Sequence, residues 1–77
     1  MPHVAVKLWT GKSAAQKARV ADAVTEAVTA SAGCGEESVS VAGEDVEPRE
    51  WMAKVYGPDI VGARPGTLLK KPGYGPL

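Results

Sequence analysis

The chain has 77 residues, with nine basic and nine acidic side chains that cancel. That length allows one domain, residues 1–77, which buries only about 60% of its unfolded surface, and zero net charge excludes a global field for nucleic acid or an anionic membrane. A single cysteine and a single histidine exclude an internal disulfide and a structural zinc site, so a partner chain is the expected remedy for so small a core.

Residues 3–9 alternate, with Val4, Val6 and Leu8 on one face and His3, Ala5, Lys7 and Trp9 on the other, which is the pattern of a half-buried strand. Thr10-Gly11-Lys12 makes the turn after it. Ser13 stands three residues before Gln16, the capping-box spacing that satisfies the free amides opening a helix. A helix is therefore expected from Ala14 to about Ser31, with Ala18, Ala21, Val24 and Val28 at helical spacing. Gly33 and Gly35, on either side of Cys34, are its stop signals. In the second strand Val39 and Val41 share one face, and Ser38, Ser40 and Ala42 the other. A strand, a long helix and a strand make a crossover, so the strands are expected to be parallel with a right-handed connection. The fold class is α/β (α+β), a β-α-β protomer with one long helix.

Pro48 opens a short helical turn through Trp51, Met52, Val55 and Tyr56. From Gly57 onward four prolines and five glycines in 21 residues imply only short regular structure. Ile60, Leu68, Leu69 and Tyr74 are the residues available to dock this tail. Glu44, Asp45, Glu47 and Glu50 form an acidic stretch, and after Asp59 the only charges are Arg64, Lys70 and Lys71. The basic tail is a candidate partner for the acidic stretch, in its own subunit or another; two solvated patches are the alternative. At 44% hydrophobic and 23% charged the chain is globular. Its apolar runs of two or three residues make no membrane span. No signal-peptide pattern is visible, and with the lone thiol this sets a cytoplasmic location as the expectation.

Pro2 is the first chemical candidate. A small second residue permits removal of Met1, which would leave a secondary amine at the start of the first strand. Reference α-amino groups titrate near ~8, and apolar surroundings or a nearby cation lower an amine towards the range useful for a base; merely starting a strand is the bland alternative. Lys12, in the turn before the helix, can offer a cation to a carboxylate or a developing oxyanion, although a solvated lysine is the usual state. Trp51 can wall an apolar pocket or be simple core. His3 neighbours Pro2, and Cys34 has no identifiable base and reads as an inert thiol. No phosphate loop, metal motif or Ser–His–Asp set is present.

Taken together, Pro2-His3-Val4-Ala5-Val6-Lys7, the Gly11-Lys12-Ser13 turn with Gln16-Lys17, and the Ser38-Val39-Ser40-Val41 strand resemble the 4-oxalocrotonate tautomerase family. Val46-Glu47-Pro48, Trp51 and the tail Leu69-Lys70-Lys71-Pro72-Gly73-Tyr74 look like its longer-chain branch, whose members are typically dimeric, whereas shorter relatives form hexamers. The resemblance implies a dimer with a four-stranded sheet and two helices on one face, and Pro2 as general base without cofactor or metal. The family's aromatic pocket residue falls on Trp51. Its arginine after the glycine turn is Lys12 here, which keeps the charge but not the bidentate fork. Its second arginine falls on Ser40, where the charge is gone, so a monocarboxylate fits better than a dicarboxylate held at both ends, or than hydrolytic dehalogenation.

The expected function is a cofactor-independent tautomerase acting on a small keto or enol carboxylate. Pro2 is its base and acid, conditional on Met1 removal. Lys12, Trp51, Ser40 and His3 are the substrate-binding candidates. A homodimer is expected, with a hexamer as alternative, Tyr74 and Leu69 anchoring the tail, and pockets drawing residues from both chains. The competing expectation is a non-catalytic dimeric binding or scaffold protein with the same fold, prompted by Ser40 and Lys12 at the two arginine positions.

Overall fold

The computed structural model describes residues 1–76. The chain packs as two compact units, Met1–Asp45 and a second from Val46 onward. In the first, β1 (His3–Trp9) and β2 (Ser40–Val46) are parallel neighbours in a two-stranded sheet, joined through α1 (Ala14–Ala32). The β-α-β order is the one expected.

α1 begins where the capping spacing puts it. Ser13 Oγ accepts from the Gln16 amide at 3.1 Å, and the Ser13 amide donates to Gln16 Oε1 at 2.8 Å, so two amides left without helical partners are satisfied reciprocally. At the other end Gly33 takes the left-handed conformation (φ 69°, ψ 37°) and donates to the Thr29 carbonyl at 3.2 Å. A residue without Cβ adopts that conformation cheaply. α1 faces the valine side of the sheet, and between them lies an apolar cleft of about 300 Å³ whose walls include Val6, Leu8, Ala18, Ala21 and Val41. No residue of Met1–Asp45 is buried. One helix on two strands leaves this unit without a closed core.

Two elements run longer than expected. β2 starts two residues later than expected, at Ser40, because Ser38 ends a 3₁₀ turn (Glu36–Ser38) whose Ser38 and Val39 amides bond back to the Gly35 and Glu36 carbonyls. It continues through Gly43, Glu44 and Asp45 to Val46, although these residue types are poor strand formers, and the seven residues of β1 supply a partner of equal length. In the second unit, a 3₁₀ turn (Pro48–Glu50, with proline at its start) leads through Trp51 into a π-helix, Met52–Val61, that contains Pro58. In an α-helix a proline ring meets the carbonyl four residues back and removes a hydrogen bond. The wider π turn moves the bonding to five residues, as the Gly62 amide to Gly57 carbonyl bond of 2.8 Å shows. Gly62 also ends it in a tight place: a Cβ there would lie 2.8 Å from the Pro58 carbonyl oxygen.

Among the described residues the buried hydrophobic ones are Val46, Val55 and Tyr56. Two carboxylates of the acidic stretch pair with lysines outside the basic tail. Lys17 Nζ lies 2.8 Å from Asp45, and Lys54 Nζ lies 3.1 Å from Glu50, one helical turn away. Leu69 is 93% exposed, so in the single chain it anchors nothing, whereas Tyr74 does. Among the described residues no helix is long and apolar enough to cross a membrane.

Candidate active site

The start of β1 is tied to the start of β2 by a single residue. The Ser40 amide donates to the Pro2 carbonyl at 3.1 Å, and Ser40 Oγ lies 2.7 Å from His3 Nδ1. One residue of β2 thus holds two successive residues of the first segment, one through its backbone and one through its side chain. Pro2 is half-buried, while His3 and Ser40 are exposed. A neutral imidazole can accept from the serine hydroxyl or donate to it according to tautomer; an imidazolium can only donate. In either case it is Nδ1, not Nε2, that meets Ser40. Pro2, His3 and Ser40 therefore form one cluster.

Lys12 lies elsewhere. It is exposed in the turn after β1, next to Gly11, whose φ of +107° requires a residue without Cβ. At about 3.3 Å per strand residue, β1 separates the Pro2 and Lys12 ends by roughly 20 Å or more. A single chain does not bring them together. Lys12 borders instead an open groove of about 360 Å³ along α1, shared with Gln16, Arg19, Val20 and Ala23. Arg19 is a second cation on this groove that the sequence reading did not single out. The helical spacing of positions 16, 19, 20 and 23 was the available signal.

Trp51 is half-buried in the second unit, between the 3₁₀ turn and the π-helix. Its indole Nε1–H donates to the Tyr74 hydroxyl at 2.8 Å, and the Tyr74 ring packs on Tyr56 with centroids 5.6 Å apart and planes inclined at 43°. The separation of 23 positions between Trp51 and Tyr74 left no spacing from which the pairing could be read. Cys34 is half-buried as a free thiol. Among the described residues no cluster of His, Cys, Asp and Glu is suited to a metal ion.

Comparison with known proteins places the chain. The family described as "Tautomerase enzyme" matches residues 2–59, which run through both compact units. A "Probable tautomerase" of Xylella fastidiosa (strain 9a5c) is 46% identical over 77 residues, covering 100% of this chain and 93% of that protein. "Tautomerase PptA" of Cronobacter sakazakii is 37% identical over 75 residues, 96% of this chain and 97% of that protein. The match to these relatives thus includes the tail. Among solved structures, TomN, a 4-oxalocrotonate tautomerase homologue in the tomaymycin biosynthetic pathway, is 32% identical with a TM-score of 0.63 over 65% of this chain and 77% of its own. YwhB, another homologue of 4-oxalocrotonate tautomerase, is 37% identical with a TM-score of 0.58 over 60% of this chain and 75% of its own. With the family matched over most of its length and the β-α-β fold shared with two such homologues, the chain belongs to the 4-oxalocrotonate tautomerase family.

Proposed function

We propose that the chain is a cofactor-independent tautomerase that ketonises the enol of a small 2-keto acid, with Pro2 as general base and acid once Met1 is removed. The observation that carries this reading is the double hold of Ser40 on Pro2 and His3, which fixes the proline at the mouth of the sheet. Family membership supports the reaction class. Met1 is fully exposed and accessible to an aminopeptidase. While it remains, the Pro2 nitrogen is a tertiary amide without a basic lone pair.

In this mechanism the freed Pro2 nitrogen takes the enol O–H proton. The O–H electron pair becomes the carbonyl, and the former C=C pair takes a proton at C3 from the protonated proline, which returns to its amine form. A cation steadies the enolate between the two transfers. Lys12 fills that role from a second copy of the chain, because β1 separates it from Pro2 of its own. His3 and Ser40 offer hydrogen bonds to a carboxylate, and Trp51 supplies an apolar wall. The absence of a cation at Ser40 favours a monocarboxylate. Residues 1–77 act in this reading as one functional domain of a cytoplasmic homodimer, and the lack of any buried residue in Met1–Asp45 supports the need for a partner copy.

Ketonisation of phenylenolpyruvate, followed by ultraviolet absorbance, tests the assignment, with intact mass verifying loss of Met1 in each sample. Pro2→Ala is expected to lower kcat/KM by about 10²-fold or more. Equal rates for native protein and variant would overturn the role of Pro2.

A further inference from the structure

We propose that Tyr74 is a positioning residue for Trp51, so that the tail sets the orientation of the aromatic wall used by the tautomerase. This rests on the reading of Trp51 as pocket wall. An indole ring carries one polar group, its N–H, whose direction fixes the ring when a protein acceptor rather than water takes it. Here the Tyr74 hydroxyl is that acceptor at 2.8 Å. With its donor engaged there, Trp51 has one fixed edge and presents the remaining ring surface as an apolar face.

Tyr74 is itself held. Its ring packs on Tyr56, which is only 4% exposed, at 5.6 Å between centroids. The next residue, Gly75, has φ of +79°, and a Cβ at that position would run into the Tyr56 hydroxyl. Both conformation and space therefore require glycine where the tail passes Tyr56. Tyr56, Tyr74 and Trp51 form a chain of three aromatic residues, from a buried ring in the π-helix, through the tail, to the indole. All three belong to the second unit.

The test uses Tyr74→Phe, which keeps the ring and removes only the acceptor, with phenylenolpyruvate as substrate. KM is expected to rise about fivefold, the equivalent of one ordinary hydrogen bond, with kcat within a factor of about two. In a Trp51→Phe background, which has no indole N–H, Tyr74→Phe is expected to change KM no further. In a Trp9→Phe background, where Trp51 is the sole indole, Tyr74→Phe is expected to shift its fluorescence emission. An unchanged KM on Tyr74→Phe, where Trp51→Ala raises it, would overturn the positioning role; so would a rise of the same size in the Trp51→Phe background. If Trp51→Ala leaves KM unchanged, the pocket-wall reading fails instead, and the fluorescence shift still decides whether Tyr74 orients the indole.

Discussion

His3 and Ser40 meet across the β1–β2 pair, Nδ1 to Oγ at 2.7 Å, while the Ser40 amide bonds the Pro2 carbonyl. The side-chain bond and the backbone bond are separable by mutation, since alanine at position 40 keeps the amide. Ser40→Ala and His3→Ala are each expected to cost about 0.5–1 kcal/mol, as both groups are exposed. The double variant is expected to cost no more than the larger single change, because both remove one interaction. Urea unfolding of the four proteins measures this; full additivity would mean the contact contributes nothing.

The ends of α1 rest on single residues. Ser13→Ala removes the acceptor for the Gln16 amide and is expected to cost about 1 kcal/mol, lowering Tm by about 4–8 °C. Gly33→Ala forces a Cβ into the left-handed region and is expected to cost a similar 1 kcal/mol or so. Thermal melts at one fixed protein concentration check both, since association also moves Tm.

What was legible in the sequence was local. The alternation of His3 to Trp9, the Ser13–Gln16 box and the Gly33 stop each lie within a few neighbouring residues, and the structure follows all three. β2 was cut short because Gly43, Glu44 and Asp45 are weak strand formers, and only the length of the opposite strand extends it. The π-helix was hidden because Gly57 and Pro58 read as breakers, and a five-residue hydrogen-bond spacing has no sequence signature. At the site, His3 and Ser40 are 37 residues apart, and alternation gave each a face but not their meeting. Pro2 and Lys12 were both candidates for one site, yet β1 lies between them and puts them at opposite ends of the strand.

That separation makes a functional prediction about Lys12. If Pro2 of one copy works with Lys12 of another, Pro2→Ala and Lys12→Ala chains complement each other when mixed, unfolded and reassembled. In a two-fold dimer the mixed species has one doubly defective site and one intact site. Statistical mixing is then expected to restore about a quarter of the native activity. Activity no higher than the mean of the two separate variants would place both functions within one chain. Lys12→Arg, which keeps the charge and adds a bidentate fork, is expected to retain activity where Lys12→Ala loses it.

Assembly follows from what the single chain leaves uncovered. No residue of Met1–Asp45 is buried, Trp9 is 55% exposed, and His3, Ala5, Ser40 and Ala42 are exposed along the sheet. The two-stranded sheet also leaves edges to pair. We expect a homodimer in solution, with the tail covering surface that a larger assembly would otherwise bury. Tyr74 is committed to Trp51 and Tyr56, so Leu69, at 93% the most exposed large apolar residue of the described tail, is a candidate apolar contact for a second copy. Burying one leucine is worth about 1.5–3 kcal/mol and a two-fold dimer buries two, so Leu69→Ser is expected to weaken dimerisation by roughly a hundred- to ten-thousandfold. Truncation after Arg64 is expected to give species larger than a dimer. Sedimentation equilibrium of the three proteins reads all of this. A stable folded monomer of the full chain would overturn the dimer, and a truncated chain that stays dimeric would overturn the covering role of the tail. Leu69→Ser keeps the Tyr74 contacts intact, so it tests the interface even if the truncated second unit does not fold.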